Sequence, residues 1–155
     1  MGQALATAKG LDSEIVLLKD RDGAVRYAGW YRRLVEMGRT IYTGFYMTTR
    51  VPHCETPCVK VVFPMPDGNA TVILRPSVEG DGGLRLSSRG ARFGDAGFYR
   101  VHRIDGARLR VWRVSTLHEQ FLVYQDDQNV LRCDHTVGFL GMPILHLHYR
   151  IEQTR

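Results

Sequence analysis

A chain of 155 residues with 44% hydrophobic and 24% charged side chains sits near the globular norm, which argues against a disordered polymer. Its longest apolar runs are only a few residues, far short of the roughly 20 that a membrane-spanning helix needs. The net charge of +5 comes from 21 basic and 16 acidic residues. Only Lys9, Lys19 and Lys60 are lysines, so the excess is carried by arginine, whose planar fork suits carboxylate or phosphate. Codon bias toward G and C explains the same enrichment, and the acidic residues are interspersed, so no basic tail stands out.

Along the chain, residues 1–11 are small and polar and are expected to be loose. Ile15-Val16-Leu17-Leu18 is a short apolar run that fits either helix or strand, and Asp20-Arg21-Asp22-Gly23 is a turn cluster. Tyr27, Trp30, Tyr31, Leu34 and Val35 recur at i, i+3, i+4, i+7 and i+8, which predicts a helix over 27–37 stopped by Gly38. A competing reading pairs 15–18 with 24–28 as a hairpin about Asp22-Gly23, and the helix is preferred to it.

From Ile41 onward the texture is that of strands. Residues 41–49 are rich in aromatic and β-branched side chains. Val59–Phe63 and Thr71–Leu74 flank the turn Pro66-Asp67-Gly68-Asn69, and Leu84–Ser87 alternates. Phe98–Arg103 and Leu109–Val114 flank Asp105-Gly106. Phe121–Tyr124 and Val130–His135 flank Asp126–Asn129, and Leu145–Ile151 comes last. About eight or nine strands joined by short polar turns predict an antiparallel all-β fold. The expected architecture is one lipocalin-like up-and-down β-barrel spanning 1–155, with the short N-terminal α-helix at one end.

Chemistry-bearing residues are few. On the last strand, His146, His148, Arg150 and Glu152 share a face opposite Leu145, Leu147, Tyr149 and Ile151. The His146-x-His148-x-x-x-Glu152 spacing resembles the first metal motif of the cupins, which are also β-barrels; the second His-bearing motif of that family does not follow. These three residues are the fallback metal ligands, and a solvated polar strand face is preferred to them. Cys133 and His135 share a face with Leu131 and Val137 and are expected to point inward, with Cys54 and Cys58 as remote candidates for a zinc set. His118-Glu119 is a further acid–base pair, although adjacent strand residues face opposite ways.

These features lead to a barrel that holds an apolar or aromatic small molecule in its interior, with Tyr99, His102, His135 and Tyr149 orienting a carbonyl or hydroxyl. The aromatic supply behind this reading is Tyr27, Trp30, Tyr31, Tyr42, Phe45 and Tyr46 early, then Phe98, Tyr99 and Trp112. The first alternative is a cofactor-independent cyclase, isomerase or dehydratase with His135 as acid–base. The second is a nucleic-acid or protein interaction module built on the eight arginines from Arg85 to Arg113, which the modest charge density disfavours. No phosphate loop, dinucleotide fingerprint, Gly-x-Ser-x-Gly or His-Glu-x-x-His is present, and no cofactor is expected.

Three cysteines, an odd number, and a start without a charged region before an apolar run argue for a reducing, cytoplasmic setting. Ala6 stands where myristoylation wants Ser or Thr. No membrane partner is expected, and a homodimer is left open.

Overall fold

The computed structural model describes residues 10–36, 38, 40–80 and 82–152. The expected loose segment 1–11 lies outside these except for its last two residues. Eleven strands run through the described chain: β1 (Leu11–Lys19), β2 (Val25–Leu34), β3 (Thr40–Thr49), β4 (Cys58–Met65), β5 (Gly68–Val78), β6 (Leu84–Ser87), β7 (Gly97–Arg103), β8 (Leu109–Arg113), β9 (Leu117–Gln125), β10 (Leu131–Phe139) and β11 (Met142–Ile151). Every pairing is antiparallel, and the sheet is curled into an open half-barrel.

The strand order is β1-β2-β3-β4-β5-β6-β9-β10-β11, with the β7–β8 hairpin off this path. The branch lies in β5, whose one edge serves two partners. Its first part, Gly68–Ile73, pairs with β7, and its last part, Arg75–Val78, pairs with β6. This differs from the expected closed up-and-down barrel, because β7–β8 departs from the meander and β1 and β11 remain end strands.

The curl has a direction. β2 and β11 stand seven strands apart, about 34 Å on a flat sheet at ~4.8 Å per strand. Yet the Arg32 guanidinium on β2 lies 5.4 Å from the Tyr149 ring on β11. The face that carries Arg32 and Tyr149 is therefore the concave one. It also carries the core: Val61, Val72 and Leu74 are buried, with Tyr46, Val59, Phe63, Leu86, Phe98 and Phe121 packed around them. Burying each Val or Leu side chain contributes roughly 1.5–3 kcal/mol.

The predicted helix over 27–37 is overturned, since those residues lie largely in β2, and no helix occurs among the described residues. Tyr27 and Tyr31 face the convex side while Ala28, Trp30 and Arg32 face the concave side, as the register with β3 requires. Large side chains on both faces of a strand imitated a helical stripe. The competing hairpin reading is the one the chain adopts.

Its turn explains why. Asp20 accepts hydrogen bonds from the backbone N–H of Asp22 (3.0 Å) and Ala24 (2.9 Å), and its second oxygen accepts from Arg26 Nε at 2.6 Å. The β9–β10 turn repeats this bond for bond: Asp126 accepts from Gln128 N and Val130 N at 2.9 Å each, and from Arg132 Nε at 2.8 Å. Gly23 (φ 82°) and Asn129 (φ 58°) occupy the same left-handed position. Asp105 anchors the β7–β8 turn through the N–H groups of Ala107 and Arg108 and through the Arg108 side chain.

The segment 88–96 between β6 and β7 is fastened at several points. Ser88 is fully buried, and its hydroxyl accepts the N–H of Glu119 at 2.8 Å. Tyr99 Oη donates to Asp95 O at 2.6 Å and accepts from Gly94 N at 3.0 Å. Arg113 donates to the Gly90 carbonyl. A β-carbon at Gly90 would overlap the carbonyl of Ala96, so only glycine allows this close approach.

Candidate functional site on the concave face

Strand register brings the polar groups of the concave face together. His135 on β10 lies opposite Phe121 on β9, and Val137 opposite Glu119. Glu119 is therefore the diagonal neighbour of His135, within reach of a long side chain. His135 Nε2 lies 3.0 Å from Glu119 Oε2, with the two side chains only 16% and 12% exposed. Phe121 stacks on the imidazole, ring centroids 4.0 Å apart and planes 16° from parallel. A carboxylate that fixes one imidazole nitrogen while an aromatic ring fixes its plane makes an oriented acid–base pair.

One strand further, Cys133 faces Tyr149, whose ring lies 5.4 Å from the Arg32 guanidinium. Burial pushes the Tyr149 hydroxyl above its usual value, opposed by Arg32, and burial does the same to the Cys133 thiol. Arg32 also lies 4.1 Å over the Trp30 ring, which in turn packs against Tyr46 at 5.3 Å. The indole Nε1 of Trp30 is buried without a hydrogen-bond partner among the described residues. Trp30, Tyr46, Arg32, Tyr149, Cys133, His135 and Phe121 thus lie along the concave face as a run of aromatic and polar contacts, the trough of the curl.

The residues expected to orient a ligand divide. His135 and Tyr149 share the trough. His102 has the same facing on β7, opposite Gly68 and Arg110, but stands on the branch hairpin. Tyr99 lies on the convex side, buried under the 88–96 segment with its hydroxyl doubly engaged. Sequence reasoning missed Glu119 as the partner of His135 and coupled it to His118 instead. The missing signal was the register, which could be counted outward from the Asp126–Asn129 turn. Trp30 was counted among the aromatics of the interior but placed on a helix, and Arg32 was missed because the segment read as a helix.

The fallback metal ligands lie on the convex face and do not converge. His148 Nδ1 sits 2.5 Å from Asp134 Oδ1 and His146 Nε2 3.9 Å from it, whereas Glu152 pairs with Arg150 at 2.6 Å. Cys58 and Cys133 face opposite sides of the sheet. Among the described residues, no group of three or more His, Cys, Asp or Glu is placed to hold a metal. No helix of the described residues is long and apolar enough to cross a membrane. In the arginine-rich stretch, Arg85 pairs with Glu79 and Arg108 with Asp105, while Arg100 donates to the carbonyls of Asn69, Val101 and Pro66. The stretch is thus not a uniform basic stripe.

Compared with known protein families, with curated proteins and with solved structures, the chain matches none.

Proposed function

We propose that the concave trough binds an apolar or aromatic small molecule carrying a hydrogen-bond acceptor such as a carbonyl. The observation that carries this reading is the buried Trp30 Nε1, a donor without an acceptor among the described residues, in an aromatic setting. Such a donor is costly to leave unmade, by about 1–3 kcal/mol, and an acceptor on a ligand would satisfy it. Apolar side chains on the same face near the open ends, Ile15, Leu17, Leu131 and Leu145, remain exposed and extend the surface available to a ligand.

The test is equilibrium titration with an environment-sensitive naphthalene fluorophore, followed by displacement with aromatic ketones. Saturable binding is expected, weakened by Trp30→Phe and by Phe121→Ala and untouched by His148→Gln on the convex face. Unsaturable fluorescence, or equal effects of all three substitutions, would overturn the reading.

The His135–Glu119 pair favours a second reading, in which the trough also performs proton transfer of the isomerase or dehydratase kind. His135 would move the proton while Glu119 holds the ring. Under it, His135→Gln abolishes turnover with binding kept, whereas Glu119→Gln lowers kcat and displaces the pH profile. Unchanged turnover in His135→Gln would remove this reading.

A further inference from the structure

On the other side of the sheet, a cleft of about 530 Å³ opens between the loop joining β3 to β4, the middle of β5 and the 88–96 segment. Its lining is His53, Arg75, Arg89, Gly90, Ala91, Arg92 and Asp95. We propose that this cleft binds the phosphate group of a small organic phosphate monoester.

Six other arginines of the described residues, Arg26, Arg33, Arg85, Arg108, Arg132 and Arg150, each pair with a carboxylate at 2.5–2.8 Å. Arg75, Arg89 and Arg92 converge on one cleft and make no ion pair with any described residue. Among the described residues, Arg75 Nε is buried without a partner, and its fork reaches the His53 carbonyl alone, at 3.4 Å. Arg89 and Arg92 are exposed and Arg75 is part-buried, so the three like charges lining the cleft repel one another weakly, and the buried N–H left unmade adds a cost of its own. A dianion accepting from the forks would remove both penalties at once.

The single carboxylate in the cleft, Asp95, offsets part of the charge of Arg92 and His53. Its Oδ1 is buried without a partner among the described residues, but it forms no ion pair with the three arginines. Asp95 Oδ2 accepts the N–H groups of Ala91 and Arg92, each at 3.0 Å, so it shapes the loop. Those two bonds, with the anchors from Ser88, Tyr99 and Arg113, hold the loop that presents Arg89 and Arg92. A site fixed before the ligand arrives loses less conformational entropy on binding.

The ligand class follows from charge and size. A phosphate monoester is close to a dianion at neutral pH and offers three acceptor oxygens to the planar forks. The cleft is shallow and open, and at about 530 Å³ it leaves room for more than a bare phosphate.

Calorimetric titration of the full chain with phenyl phosphate, beside inorganic phosphate and benzoate, tests the proposal. Phenyl phosphate should saturate at one per chain, with both comparison anions binding at least about tenfold more weakly. Arg89→Gln and Arg92→Gln should each weaken it about tenfold or more, with circular dichroism confirming the fold. Arg103→Gln removes the same charge outside the cleft and should change nothing. Trp30→Phe should also leave this binding intact, which separates the cleft from the concave trough. Absence of saturation, equal affinity for the comparison anions, or an equal loss in Arg103→Gln would overturn the proposal. So would displacement by a single-stranded oligonucleotide with a steep salt dependence, which would assign the arginines to nucleic acid instead.

Discussion

Single side chains show how burial and local hydrogen bonding divide residues of one type. Cys54 and Cys58 are four positions apart and both contact Thr56, Cys54 through the hydroxyl at 3.5 Å and Cys58 through the carbonyl at 4.0 Å. The Thr56 hydroxyl draws the Cys54 thiol below its usual value, whereas burial above all pushes Cys58 up to about 11. Because the thiolate is the nucleophile, iodoacetamide at neutral pH should label Cys54 first. Cys58 and the buried Cys133 should react only after unfolding, which peptide mass mapping would reveal; equal labelling of the native protein would contradict this. Tyr99 gives a complementary case. Tyr99→Phe removes the donor to Asp95 O and the acceptor of Gly94 N, leaving two backbone groups unmade in a part-buried loop. A loss of about 1–3 kcal/mol in urea unfolding is expected, together with weaker anion binding in the cleft that this loop frames.

Among the elements, the hairpins are set by their turns as much as by their strands. Asp20, Asp105 and Asp126 are all held below the usual 3.8: Asp20 and Asp126 chiefly by backbone N–H groups, of Ala24 and Val130, and Asp105 chiefly by the Arg108 side chain. Asp95 is lowered likewise, first by the Arg92 N–H. A carboxyl with a depressed folded-state pKa takes up its proton more readily when unfolded. Its contribution is therefore full above about pH 4 and lost as pH falls through the folded value. His118 adds an earlier decline starting near its usual 6.5, because burial, then Arg89 and Arg113, oppose its protonation in the folded state. Urea midpoints should thus fall gently below about pH 6.5 and steeply below about pH 4, and Asp126→Asn should blunt the second fall. Asn129→Gly should be tolerated at its left-handed position, whereas Asn129→Val should cost on the order of 1–3 kcal/mol. These turns were legible because Asp, Gly and Asn advertise them in the sequence. So were the strands from β3 onward, whose β-branched and aromatic runs admit no helical stripe. β2 was not legible, since a strand with large side chains on both faces satisfies a helical period as well as a strand one.

For the molecule as a whole, what the sequence concealed is long-range. Each hairpin is a local matter, but the division of β5 between β6 and β7 is a matter of pairing between segments distant in sequence. No residue in Gly68–Val78 marks that choice. The concave trough was half legible for the same reason. Inward-facing His135 and Cys133 followed from alternation, whereas Glu119 needed register, and Trp30 and Arg32 needed both strand assignment and curl. The open half-barrel has a thermodynamic consequence. Its accessible surface is 11050 Å², against about 7,900 Å² expected for a compact monomer of 17.6 kDa. Part of the exposed apolar surface sits on the end strands, where Ile15, Leu17, Met142 and Ile144 are each more than half exposed. Unfolding then uncovers about a fifth less surface than it would from a closed barrel of the same length, and the denaturant slope scales with that area. Urea unfolding of the protein should give an m-value lower than its chain length implies by about that fraction. Saturating a ligand that fills the trough should raise the slope, because more area is then covered in the native state. An m-value of full size without ligand would mean that the open face is already covered in solution.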